Sequence, residues 1–130
     1  RRVLFRSCRD REEARAIGLA AIEEKLAVCA DFWVINSLYP WSGVLEEVEQ
    51  YMLMITTEEA LSSKLISFVG GVHSYTTPMI TRLDTSLMNP TYTFWVEDML
   101  QRKERYLSEE EARMRDEIEN DDGYHVEKLK

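Results

Sequence analysis

Two runs of strand-forming residues, 28–39 and 44–56, flank Pro40-Trp41-Ser42-Gly43 and restrict the fold more than anything else in the chain. The first, Val-Cys-Ala-Asp-Phe-Trp-Val-Ile-Asn-Ser-Leu-Tyr, is rich in β-branched and aromatic residues. The second ends in Tyr51-Met52-Leu53-Met54-Ile55. Joined by a turn, they predict a hairpin. At about 3.3 Å per residue, strands of about 12 residues reach about 40 Å. A helix of about 16 residues covers only about 24 Å. The hairpin therefore outruns any helix packed on it. Phe32-Trp33-Val34-Ile35 and Tyr51 to Ile55 are also apolar at successive positions, so both faces of the sheet need cover. Helices on one side would leave Trp33 bare on the other. The expectation is an obligate homo-oligomer, which also pairs the long edges. The competing expectation is that the C-terminal tail folds back over the open face.

The flanking residues supply the other elements. Val3-Leu4-Phe5 reads as a first strand. Asp10 and Glu13 form a capping box that opens a helix running to about Leu26. Thr56-Thr57-Glu58-Glu59 offers a second box, followed by Leu61, Leu65 and Phe68 and closed by Gly70-Gly71. Residues 79–83 read as a fourth strand, and Asn89-Pro90 opens a third helix. Tyr92, Trp95, Val96 and Met99 mark its apolar side, and Phe94 joins Tyr92 and Trp95 as expected helix-to-sheet core. The order β-α-β-β-α-β-α predicts an α/β (α+β) chain of ferredoxin-like split β-α-β type. Its antiparallel sheet has a long hairpin between the second and third strands and helices on one face. Residues 1–100 make that domain. Residues 101–130 form a charged helical tail, with a capping box at Ser108-Glu109-Glu110-Glu111 and a break expected at Asn120-Asp121-Asp122-Gly123.

Charge narrows the function classes. The 130 residues carry a net charge of −8, which argues against nucleic acid and against anionic membrane as partners. No apolar run approaches the about 20 residues that span a bilayer. Two cysteines, Cys8 and Cys29, read as reduced thiols of a cytoplasmic protein. The chain starts at Arg1 rather than Met, so an upstream start is expected. Phosphate loops, HExxH, CxxC and nucleophile elbows are missing from the sequence, so a non-enzyme is expected. His73 and Tyr75 would be the acid–base pair if there were one. Glu46, Glu47 and Glu49 read as a solvated strand face.

Four stretches taken together resemble the CutA family. Glu24-Lys25-Leu26-Ala27-Val28-Cys29-Ala30 resembles the end of that family's first helix. Tyr39-Pro40-Trp41-Ser42-Gly43 resembles its Tyr-x-Trp-x-Gly hairpin, with Glu49 at the acidic position downstream. His73-Ser74-Tyr75-Thr76-Thr77-Pro78 resembles its His-Pro-Tyr-x-x-Pro loop, and Asn89-Pro90-Thr91-Tyr92-Thr93-Phe94-Trp95 resembles the start of its last helix. The resemblance implies a homotrimer of PII-like architecture, associated with divalent-cation tolerance and response to metal ion. It implies a binding or signalling module with inter-subunit clefts, where His73 and Tyr75 meet Trp41, Tyr39 and Glu49. His73 and Cys8 are weak candidates for a metal. Ser74 and Met79 depart from the family's Pro and Glu, so weak copper or zinc binding is expected, driven by net charge. Two other readings stand beside this one: a PII-like sensor of an anion or nucleotide, and an adaptor that docks a protein partner through residues 101–130.

Overall fold

The computed structural model of the chain describes residues 2–71, 79–86, 88–102 and 105–129, the last ten of these as backbone only. The elements run β1 (Arg2–Cys8), α1 (Arg11–Glu23), β2 (Cys29–Trp41), β3 (Val44–Thr57), α2 (Glu59–Gly71), β4 (Ile80–Asp84), α3 (Pro90–Gln101) and α4 (Glu109–Leu129). The sheet order is β2-β3-β1-β4 with every pairing antiparallel. This is the expected ferredoxin-like arrangement, with the expected long hairpin.

Register decides which residues share a face. Leu4 pairs with Ile55 and Arg6 with Leu53, while Ala30 and Phe32 pair with the same two β3 residues from the other side. These positions face α1 and α2. Leu4, Cys8, Leu53 and Ile55 form the core there with Ala14, Ile17 and Leu65. Gly18 lets α1 close on the sheet, since a Cβ there would lie 2.7 Å from the Cβ of Ala30. Each neighbouring position along the strands points the opposite way, to the face turned away from α1 and α2, which is helix-free among the described residues. There Phe5 and Trp33 meet edge to face, with ring centroids 6.5 Å apart.

The first capping box forms as read: Asp10 Oδ1 accepts the Glu13 amide at 2.8 Å. Several boundaries differ from the sequence reading. Strand β1 is longer than Val3-Leu4-Phe5. Helix α1 stops at Glu23, not near Leu26. Lys25 takes φ 60, and the Lys25 and Leu26 amides donate to Ile22 and Ala21, a Schellman closure with lysine where glycine is usual. A left-handed non-glycine residue costs about 1 kcal/mol. Pro40 and Trp41 belong to β2, because the reversal takes just two residues. Ser42 and Gly43, both at positive φ, make the tight turn that matches strand twist. Thr56 and Thr57 are strand residues, not a helix cap. The Thr57 hydroxyl donates to the Leu26 carbonyl at 2.6 Å and ties β3 to the end of α1.

Two further expectations fail. In α3, Val96 is buried, but Phe94 is 72% exposed and Trp95 41%. An apolar helix face looks the same in sequence whether it meets its own sheet or another molecule. Helix α4 begins at the expected Ser108 cap, whose Oγ accepts the Glu111 amide at 3.1 Å. It then runs through Asn120-Asp121-Asp122-Gly123 to Leu129. One internal glycine costs only about 1 kcal/mol, which a formed helix tolerates.

Candidate functional site

The helix-free face of the sheet holds a cavity of about 600 Å³ toward the hairpin end. Alternation along β2 brings Ile35, Tyr39 and Trp41 to it, and alternation along β3 brings Glu46, Gln50 and Met52. The two-residue turn sets Trp41 opposite Val44 at the tip, with both exposed. The other wall comes from β1 and the start of β4. The Ser7 amide donates to the Met79 carbonyl at 3.2 Å, and the Met79 amide donates to Ser7 Oγ at 3.2 Å. That pair of bonds holds Met79 at the cavity. The lining is thus aromatic and thioether surface with one carboxylate and one amide, a site suited to apolar contact with few polar anchors.

Of the residues singled out in the sequence, Tyr39 and Trp41 meet here. Glu49 does not join them: it pairs with Asn36 on the opposite face and is exposed, while Glu46, opposite Tyr39, lines the cavity. His73 and Tyr75 lie outside the described residues. The sequence reading missed Glu46 as the inward carboxylate and missed Gln50, Met52 and Ser7. Counting by twos from Trp33 would have found the β2 members, but the β3 partners follow only from the register.

Cys8 sits on the other face, sealed in the core. Arg6, two residues earlier, is also fully buried. Its guanidinium donates to the Val69 carbonyl at 3.2 Å, the Ser7 carbonyl at 3.0 Å and Cys8 Sγ at 3.2 Å. It also pairs with Glu13 at 3.4 Å. Burial pushes the Cys8 thiol above its ordinary range, outweighing the lowering by Arg6. A sulfur that is protonated, buried and already receiving a cationic donor fits a metal ion poorly. Among the described residues no three of His, Cys, Asp and Glu are grouped to hold one. Cys29 is half-buried, with its sulfur 3.6 Å from Asp31 Oδ2, so it is less enclosed than a small core hydrophobe would be. Among the described residues no helix is long and apolar enough to cross a membrane.

Comparison with known proteins places this geometry among relatives. The model of the family described as CutA1 divalent ion tolerance protein matches residues 2–99. The mouse protein named Protein CutA is 34% identical over 93 residues, covering 71% of this chain and 52% of the mouse protein. The chain thus spans about half the length of that relative. The divalent-cation tolerance protein CutA of Thermococcus kodakarensis is 30% identical over 98 residues, covering 75% of this chain and 94% of its own. Among solved structures, the periplasmic divalent cation tolerance protein CutA from Archaeoglobus fulgidus superposes with a TM-score of 0.74. It is 24% identical and covers 77% of this chain and 98% of that one, a likeness of fold.

Proposed function

The chain belongs to the CutA1 divalent ion tolerance family, and from that premise we propose that it is a non-enzymatic homotrimer acting as a binding or signalling module with clefts between subunits. The observation that carries this reading is the uncovered face of the sheet. Trp33 is 42% exposed and Leu83 50% in the single chain, and Met79 and Trp41 extend the same apolar surface. Apolar patches of this kind on one face of a sheet mark contact surfaces. The hairpin adds a second argument. Beyond the end of β1, Leu45 is largely exposed on the helix side as well. A second and third copy would cover both. The cavity beside Tyr39 and Trp41 then lies where one subunit's hairpin meets the next subunit, which is the cleft of this reading.

The relatives' names link the family to divalent cations. We assign this chain a weak and non-stoichiometric affinity for copper or zinc, supported by the poor donor set around Cys8 and the net charge of −8. The two free cysteines fit a reducing cytoplasm. Light scattering during gel filtration tests the assembly. The expected mass is three times the 15.3 kDa of the chain, and a monomer at micromolar concentration sinks the reading. Calorimetric titration in about 0.5 M salt, where the Debye length falls to about 4 Å, tests the metal. A surviving isotherm of one ion per subunit would overturn the weak assignment.

A further inference from the structure

Lys25 combines two unfavourable features. Its backbone holds φ 60, where glycine would be unstrained. Its ammonium is shut off from solvent and has no hydrogen-bond acceptor among the described residues. What faces it instead is the ring of Tyr106, with Nζ 3.3 Å from the centroid. A desolvated ammonium over an aromatic face is the geometry in which cation–π attraction is strongest. Tyr106 lies beyond the family match, which ends at residue 99. It is fixed from its other end too, since its hydroxyl donates to the Met99 carbonyl of α3 at 3.3 Å. Next to it, Arg105 bonds Glu111 of α4 at 2.8 Å, and the Glu23 carboxylate at the end of α1 adds to the field on Arg105. Ser108 then caps α4.

We propose that residues 105–108 are a strap that fastens the charged helix α4 to the end of α1, with the Lys25 ammonium under the Tyr106 ring as its catch. The catch stands at the start of the α1–β2 junction, directly after the Glu24 cap of α1, so the strap joins the tail to that helix end. Loss of the lysine charge or of the ring frees α4, which carries exposed Met114 and Ile118 one turn apart. The strap is a property of one chain and stands whether or not three chains assemble.

Acetylation of the full chain by an N-hydroxysuccinimide ester, read site by site in a mass spectrometer, tests this. Exposed Lys64 on α2 serves as the internal reference. In the unaltered chain Lys25 should react at least about tenfold more slowly than Lys64. Tyr106→Phe should preserve that protection, because the ring carries it, and Tyr106→Ala should abolish it. Equal rates in the unaltered chain, or protection that survives Tyr106→Ala, overturn the proposal. Lys25→Gly gives an independent check, because it relieves the backbone while removing the catch. Its Tm should be unchanged or raised, while proteolysis within residues 102–108 should accelerate at least about tenfold. Unchanged proteolysis in a folded Lys25→Gly chain would overturn the strap.

Discussion

On the face of the sheet that carries α1 and α2, Leu4, Leu53 and Ile55 are sealed from water, and so is the charged Arg6. On the helix-free face, Trp33 of β2, Leu83 of β4 and Met79 just before β4 are each more than 40% exposed. Polarity alone would have sorted these residues the other way. Arg6 is tolerated inside because its donors meet two carbonyls, a sulfur and a carboxylate, so its charge is paired and its hydrogen bonds are made. Trp33 is 42% exposed in the single chain, where its ring meets Phe5 edge to face. The contrast teaches that the chain completes the helix-covered face by itself and leaves the other face open, the face that the trimer proposed above would cover.

The sharpest way to break this contrast is Trp33→Glu. If the helix-free face becomes a dry subunit contact, the new carboxylate is buried without a partner and costs association about 3–5 kcal/mol. Light scattering should then report monomers, or the protein should aggregate. Leu53→Ala serves as the counterpart on the covered face, with an expected loss of about 3 kcal/mol in folding stability by urea titration. A soluble, stable trimer of Trp33→Glu would show that the face is wet.

How much of this was legible in the sequence follows from the same contrast. The hairpin, the Asp10 and Ser108 caps and the order of elements could be read because each depends on neighbours along the chain. The two faces of the hairpin could not be separated by hydropathy, since Phe32-Trp33-Val34-Ile35 is apolar throughout, and register assigns them. Register also places Glu46 rather than Glu49 at the cavity. The burial of Arg6 depends on Val69 and Glu13, which are distant in sequence or belong to another element. The early stop of α1 comes with Lys25 at φ 60, a conformation that lysine rarely adopts and that no local sequence signal marks. Tyr39 and Trp41, singled out through the resemblance of Tyr39-Pro40-Trp41-Ser42-Gly43 to the family's hairpin, both line the cavity.

A smaller effect tests how tightly the covered face is closed. Gly18→Ala ought to stabilise α1 by about 1 kcal/mol on propensity alone. The added methyl would meet the Ala30 Cβ at 2.7 Å, and the Leu53 Cδ1 lies 3.4 Å away. The nearer atom is a Cβ on β2, which can move only with its backbone, so we expect a net loss of about 1–2 kcal/mol in urea unfolding. A gain would mean that α1 rides looser on the sheet than its spacing indicates.

The smallest expected effect uses the two thiols as reporters, one for each face. Cys8 belongs to the covered face, where burial raises its pKa. Cys29 pairs with Thr56 on the alternation that leads to Trp33, so it reports on the helix-free face. Its pKa is raised too, by burial first and then by the Asp31 carboxylate beside it. A raised thiol pKa leaves less thiolate at a given pH, and the thiolate is the species that reacts. Alkylation by iodoacetamide at pH 8 should therefore be slower at both sites than for a free cysteine, whose pKa is about 8.5. Both rates should climb with pH past that value instead of levelling there. In the folded protein Cys29 should react ahead of Cys8 by about tenfold, because it is half-open while Cys8 is enclosed. Trp33→Glu then separates the faces. If assembly covers the helix-free side, the monomeric variant should alkylate faster at Cys29 and no faster at Cys8. A parallel rise at both cysteines would instead report loosening of the whole fold, and no change at either would place Cys29 outside the subunit contact.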